Sequence, residues 1–381
     1  MKDVSLRSCN NYTYEEVKDS LKNIINDLGG LENHIQKNSK VFIKLNLLMK
    51  KKPEEVATTH PMVLKVLAQE LLKLNCDITV GDSPGGPYTV SALNGIYKTC
   101  GIEEVCKELN INLNYDTSEI KVENKDGKIL KYLNVIKPIT EVDYVINVCK
   151  LKTHVMATFT GGVKNLFGII PGVSKAEYHF KMPEIKDFTD ALVDICEYAK
   201  PTLTIMDGII GMEGEGPSAG IPRKVGIILG STNPYALDVV GCKLINLDPS
   251  KVPTVQRSIE RGLINKDFND INIIGEKLED KVIYDYKIPK TKSISFLRGK
   301  VPKKIELLIN KKLAGKPVID YKSCIKCGKC ATVCPPKVIK MDKKNGPNIN
   351  LDTCIRCFCC HELCPKKAIE VKRPIIYRLI K

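Results

Sequence analysis

Apolar positions along this chain fall into two rhythms: short continuous runs, and longer stretches in which they recur every three or four residues. The first marks strands buried on both faces, the second amphipathic helices packed over them. Val4 to Arg7 predicts a strand, and Tyr14 to Leu28 a helix closed by Gly29-Gly30. Val41 to Asn46 is an apolar run ending in polar groups. Pro61 to Leu74 is a helical pattern led in by Thr58, Thr59 and His60, and Asp77 to Val80 is the next strand. Residues 102–135 predict a helix, a strand and a hairpin around Lys125-Asp126-Gly127-Lys128. Asp143 to Val148, Leu203 to Met206 and Val225 to Leu229 continue the strands, with helices over Thr189 to Tyr198 and Tyr235 to Ile245. Strand, helix, strand order of this kind predicts an α/β fold, a doubly wound and largely parallel sheet spanning 1–280.

The rhythm breaks near residue 281. Residues 281–316 are basic, carry Pro289 and Pro302, and allow one amphipathic basic helix near Pro302 to Leu313. They predict a linker whose helix docks on the rest of the protein, with a membrane-surface role as the other reading. Residues 281–381 hold 25 Lys and Arg against 7 Asp and Glu, net +18, whereas residues 1–280 hold 34 against 37, net −3. A basic end of this strength would steer an acidic partner protein toward it. Nucleic acid is not expected, because Trp is absent, aromatics are few and no recognition module is visible. No apolar run is long enough to span a bilayer and no leader is visible, so a soluble, cytoplasmic protein is expected.

Eight of the sixteen cysteines explain the change. Cys324, Cys327, Cys330 and Cys334 stand at spacings of three, three and four, with Pro335 following; Cys354, Cys357, Cys360 and Cys364 repeat this before Pro365. Three thiolates so close in sequence curl the chain around a cluster, and in this run the fourth cysteine ligates the other cluster. Two 4Fe-4S clusters follow, one on Cys324, Cys327, Cys330 and Cys364, the other on Cys354, Cys357, Cys360 and Cys334. Zinc sites pair two short C-x2-C units and need neither the third cysteine nor the proline. Lys337-Val338-Ile339-Lys340 lies 30 residues before Lys367-Ala368-Ile369-Glu370, so the whole unit is duplicated. Cys359 stands outside the spacing, as a packed thiol or a substitute ligand. The other cysteines are scattered, as reduced thiols of a reducing, anaerobic cytosol would be. Residues 317–373 thus resemble a bacterial two-cluster ferredoxin, a small α+β domain, followed by a basic tail at 374–381.

In a doubly wound sheet the loops at the carboxyl ends of the strands carry the site. Lys44, Asn46 and the loop Gly81-Asp82-Ser83-Pro84-Gly85-Gly86 lie there. So does the stretch after Val148, which gathers Lys150, Lys152, His154, Lys164, Asn165 and His179 around Gly161-Gly162, Gly168 and Pro171-Gly172. A helix opening at Val163 would point its positive end at an anion. Two readings fit: a pocket for a phosphate or carboxylate, or a packed crossover with solvated lysines. After Met206, Asp207, Glu213 and Glu215 sit in what reads as a glycine-rich loop, suited to a divalent metal, to acid and base work, or to turns alone. No dinucleotide or P-loop fingerprint is present.

The KLN, GDSPGG, KLKTH, TGGVKNLFG, IPG and DGIIGMEGEGP segments together resemble the domain-of-unknown-function family numbered 362, over about residues 1–270. That family is commonly fused to a two-cluster module. The resemblance implies site roles for Lys44, Asn46, Asp82, Lys150, Lys152, His154, Lys164, Asn165, Asp207 and Glu213, and none for His60. It implies no reaction. Three functions follow as expectations: electron transfer coupled to a domain that binds a small anion, a cluster-dependent reductase of a carboxylate- or phosphate-bearing substrate, and a scaffold delivering electrons to a partner oxidoreductase.

Overall fold

A computed structural model describes residues 1–172, 174–289, 315–342 and 344–374. The predicted linker helix near Pro302 to Leu313 and most of the basic tail lie outside the described residues. Eleven strands precede residue 281: Lys2–Ser8 (β1), Lys40–Lys44 (β2), Asp77–Gly81 (β3), Asn112–Leu113 (β4), Glu119–Glu123 (β5), Tyr132–Ile136 (β6), Tyr144–His154 (β7), Thr158–Thr160 (β8), Leu203–Glu213 (β9), Ile221–Ser231 (β10) and Ile271–Gly275 (β11). Nine form one sheet in the order β11-β1-β10-β9-β7-β2-β3-β4, with β8 folded back on β7; β5 and β6 make the separate hairpin. Every pairing among β9, β7, β2, β3 and β4 is parallel, while β10 runs antiparallel to both β1 and β9.

Helices cover both faces. Gly230 and Ile205 are register partners, and Ile24 of helix Tyr14–Asp27 lies against them. Met206, next along β9, meets Gly241 of helix Pro234–Leu244 instead. Adjacent strand residues point to opposite faces, so the two helices sandwich the sheet. Caps set two helix starts: Pro234 occupies the first turn of its helix and Asn233 caps Ala236 N–H at 2.9 Å, while His60 Nδ1 caps Met62 N–H ahead of helix Pro61–Leu72.

Two sequence boundaries move. β7 does not end at Val148 but runs to His154, buried along nearly its whole length. β9 continues through Glu213, so Asp207 and Glu213 are strand residues paired with β10 rather than members of a loop. The glycines that suggested a break make room for neighbours: a Cβ on Gly211 would meet Tyr286 OH at 2.8 Å, and one on Gly208 the Ile227 carbonyl at 2.9 Å. The true loop begins at Gly214.

The C-terminal module is a pseudo-symmetric pair of hairpin-like units. Strand Lys316–Ile319 (β12) pairs with Ile369–Lys372 (β15), and Ile339–Asp342 (β13) with Gly346–Ile349 (β14). The 30-residue repeat appears in the backbone: Lys326 and Arg356, Lys337 and Lys367, and Gly328 and Phe358 all have positive φ. Its core is Cys334, Ile339, Cys360 and Ile369, with Cys330 and Cys364 packed against them. A core made so largely of thiols needs whatever those thiols hold.

Candidate functional site

Along the carboxyl edge of β2 and β7 polar side chains are buried, which demands partners. Lys44, fully buried, reaches Asp82 Oδ1 at 2.9 Å and donates to the Leu45 carbonyl at 2.7 Å and Asn165 Oδ1 at 3.3 Å. Asp82 Oδ2 accepts the Leu47 N–H at 2.7 Å. This pair exists because residue 168 is glycine: a Cβ there would stand 2.1 Å from Asp82 Oδ1 and 2.4 Å from Lys44 Nζ. Asn46 donates to Asn165 Oδ1 at 3.1 Å and accepts from Lys152 Nζ at 2.6 Å; Lys152 also donates to the Ala57 carbonyl at 2.7 Å. Burial pulls Lys152 down to about 7, against the attraction of Glu362.

Lys150 belongs to a separate cluster. Its ammonium pairs with Asp207 Oδ2 at 2.8 Å and donates to Tyr12 OH at 2.7 Å; Tyr12 in turn donates to Asp207 Oδ1 at 2.8 Å. The Tyr12 ring stacks on His60 at 3.6 Å. Lys150, Tyr12 and Asp207 partner one another, so the cluster ties β7 to β9 and to the chain before the first helix. Glu213 accepts the Lys287 N–H at 3.0 Å and Glu215 pairs with Arg373, so the three carboxylates do not converge on one ion. The helix expected at Val163 is one turn, Gly162–Asn165, and its free N–H groups are already taken: Gly162 and Val163 donate to Asp238 at 2.6 and 3.2 Å. The anion at that turn is the chain's own.

The C-terminal module docks beside these residues. Ser218 donates to the Glu362 carbonyl at 2.6 Å, His361 Nε2 lies 3.3 Å from the Glu215 carbonyl, and Leu363 packs against Gly85 of the GDSPGG loop. Between the two domains lies a cavity of about 400 Å³. Lys44, Asn46, Asp82, Lys164 and Asn165 line it from the sheet side, together with Ser83, Phe167, Lys175 and His179. Thr332, Val333, Cys359, Glu362 and Leu363 close it from the module. Of the expected residues, then, five meet at the cavity, while Lys150, Lys152, His154, Asp207 and Glu213 do not line it. Lys152 sits one layer below, through Asn46. His154 accepts the Met156 and Ala157 N–H groups at Nδ1, at 3.1 and 3.2 Å, which puts the neutral ring's proton on Nε2; that atom lies 3.8 Å from Glu362 Oε2.

The sequence singles out neither Lys175 nor Glu362, and it offers Ser83 only as a member of the 81–86 loop. Lys175 and His179 stood in the glycine-interrupted stretch, which was the available signal; Glu362 and Leu363 join the site only through docking. Burial pulls Lys175 down to about 7 and His179 to about 3. Cys359 is buried, faces Cys357 and lines the cavity.

None of the eight motif cysteines is in a disulfide, and they gather in two sets. Burial pushes the Cys330 thiol up, and the nearby Cys324, Cys327 and Cys364 sulfurs push the same way. Cys360 is raised likewise by burial and by Cys357, Cys354 and Cys334. Each set thus draws three sulfurs from one repeat and one from the other. Among the described residues no three His, Cys, Asp or Glu side chains close on a single ion.

The α/β domain and the docked cysteine module define a two-domain iron–sulfur protein. The chain belongs to the DUF362 family, a domain of unknown function whose model matches residues 41–243, and a 4Fe-4S dicluster domain matches residues 316–365 of the same chain. The dicluster domain supports iron–sulfur cluster binding and electron transfer. The thylakoid-associated protein sll1697 of Synechocystis sp. is 31% identical over 297 residues, covering 76% of this chain and 88% of that protein. Among solved structures, the lactate racemase apoprotein from Thermoanaerobacterium thermosaccharolyticum is similar at a TM-score of 0.40 and 16% identity, over 65% of this chain and 57% of that one. Among the described residues no helix is long and apolar enough to cross a membrane.

Proposed function

We propose that this chain is an electron-transfer protein whose two 4Fe-4S clusters exchange electrons with a small anion held between its domains, making it a cluster-dependent reductase. Cys324, Cys327, Cys330 and Cys364 would hold one cluster, and Cys354, Cys357, Cys360 and Cys334 the other. The observation carrying this reading is the shared cavity: Lys44, Lys164 and Lys175 face it from one side, and the helix bearing Cys360 faces it from the other. When bound, the clusters supply single electrons at low potential. The chain's own residues do the rest. Lys164 and Lys175 attract and orient an anion, the docked module excludes water, and Lys175, held near 7, can give up a proton at its Nζ. A scaffold acting only on a partner would have no need of a cavity against its cluster-bearing helix. The basic C-terminal region suits an acidic protein as the electron donor.

Native mass spectrometry of anaerobically prepared protein tests this directly. Expected are about eight irons per chain and a co-purified small anion, with a visible absorbance of the same sample that dithionite bleaches. Iron near zero after anaerobic reconstitution would overturn it.

A further inference from the structure

The cavity's lining says more than that its occupant is anionic. Its titratable groups are four lysines, Lys44, Lys164, Lys175 and Lys337, against two carboxylates, Asp82 and Glu362, with His179 kept neutral by burial against Phe188. Lys44 is spent on Asp82. Lys164 and Lys175 stand over one ring, 6.0 and 5.8 Å from the centre of Phe167. Beside them Ser83 Oγ, on a residue 1% exposed, lines the cavity with no hydrogen-bond partner among the described residues. A buried hydroxyl left unpaired is costly, so it points to a group that arrives with the ligand. Apart from Asn46, Asn165 and Thr332, the wall includes an apolar set: Leu48, Pro84, Pro87, Val333 and Leu363. About 400 Å³ is far more than a bare anion fills and lies within the range of pockets that enclose a small organic molecule.

We infer that the occupant is a small amphiphilic acid, a carboxylate or phosphate monoester on an apolar body, its acid group on Lys164, Lys175 and Ser83 and its body against Phe167, Val333 and Leu363. This rests on the reading above that the cavity holds an anion, and it names the ligand class. Lys164 and Lys175 share the Phe167 ring and make no ion pair among the described residues, and together they match one headgroup. Phe167, flanked by both ammonium groups, is where head and body meet. Val333 and Leu363 come from the cysteine module, so the body of the ligand touches the helices that carry the clusters.

Calorimetric titration of the reconstituted, oxidised full chain with octanoate, octyl phosphate, acetate, inorganic phosphate and octanol tests it. Octanoate or octyl phosphate should bind one per chain, at least about tenfold tighter than its bare headgroup and than octanol; the better of the two names the headgroup. Lys164→Met and Lys175→Met should each weaken that ligand about tenfold, and Ser83→Ala severalfold, at unchanged iron content. Equal binding of acetate or phosphate, equal binding of octanol, or binding of none of the five would overturn the inference. No electron flow is needed in this assay. An alkyl acid that binds while the cluster potentials stay unmoved would sink the reductase reading and leave the ligand class standing.

Discussion

Asp238, on helix Pro234–Leu244, accepts the backbone N–H of Gly162 at 2.6 Å and of Val163 at 3.2 Å. The carboxylate comes so close that a Cβ on Gly161 would stand 2.0 Å from its Oδ1. A turn that reads as an anion site in sequence is therefore a structural clasp between the turn that follows β8 and a helix over the sheet. Replacing Asp238 by Ala leaves two buried donors unpaired and should cost about 1–3 kcal/mol in denaturant unfolding.

The same carboxyl sets a pH dependence. Burial raises Asp238 to about 7 from 3.8, the two N–H bonds pulling the other way. Between those values the folded state keeps a proton that the unfolded chain has released. Asp238's contribution to stability thus falls as pH rises from about 4 to 7. Urea titrations across that window should show the decline in the native chain and a flatter profile in Asp238→Asn.

Lys150 and Asp207 make a second clasp, an ion pair with both side chains buried. Lys150→Met should destabilise by about 3–5 kcal/mol, because it strands a charge among Tyr12 and the His60 backbone. Lys150→Met with Asp207→Asn should recover much of the loss, since neither partner is then left charged. A double-mutant cycle by chemical denaturation measures both. A site role for Lys150 would instead show as lost ligand affinity at unchanged stability.

These two clasps mark where sequence reasoning reached and where it stopped. The strand-end rule found Lys44, Asn46 and Asp82 because a parallel sheet sends its carboxyl-end loops to one edge. It swept in Lys150 and Asp207 as well, since lysines on a buried strand look alike whether they face a ligand or a partner; only the Tyr12 contact, 138 residues away in sequence from Lys150, separates them. The sequence predicts an end to β9 at Met206 because Gly208 and Gly211 look like breakers, whereas each admits a neighbouring group within a strand that runs to Glu213. Glu362 and Leu363 were illegible for a different reason. Their spacing speaks only of the cysteines, and their place in the cavity depends on how two domains dock.

The cysteine sets give a sharp expectation. Cys364→Ser should disturb the cluster of the first repeat and Cys334→Ser that of the second, because each serves the other repeat's triad. Iron analysis with EPR of the reduced protein should find one cluster altered in each variant. Cys359→Ser should leave about eight irons in place, since Cys359 lines the cavity and stands outside both sets. Loss of a cluster in Cys359→Ser would make it a ligand after all.

Lys175 couples ligand binding to protons. Burial pulls it down to about 7; Asp82 and Glu362 push it back up, while Lys44 and Lys164 push it further down. Between about 7 and its unfolded value of 10.5 the unfolded chain binds more protons, so this lysine's contribution to stability rises with pH over that span. An arriving anion reverses the preference and favours the charged ammonium. Binding at pH 8 should therefore take up a proton, seen as a calorimetric heat that varies with the ionisation enthalpy of the buffer, and affinity should weaken as pH climbs above about 7. Lys175→Met should abolish the uptake.

Iron removal should act on one domain and then on the cavity. The module's core is Cys334, Cys360, Ile339 and Ile369, too small to stand alone, whereas β7 and β9 lie in a continuous apolar core of the larger domain. Hydrogen exchange after chelation should show amides of 316–372 losing protection while those of 144–154 and 203–213 keep theirs. Release of the module frees Leu363 from Gly85 and the Glu362 carbonyl from Ser218, the contacts that close the cavity. Ligand affinity should fall with the iron even though Lys44, Lys164 and Lys175 all belong to the domain that stays folded. Retained affinity in the iron-free chain would place the binding energy wholly in the α/β domain.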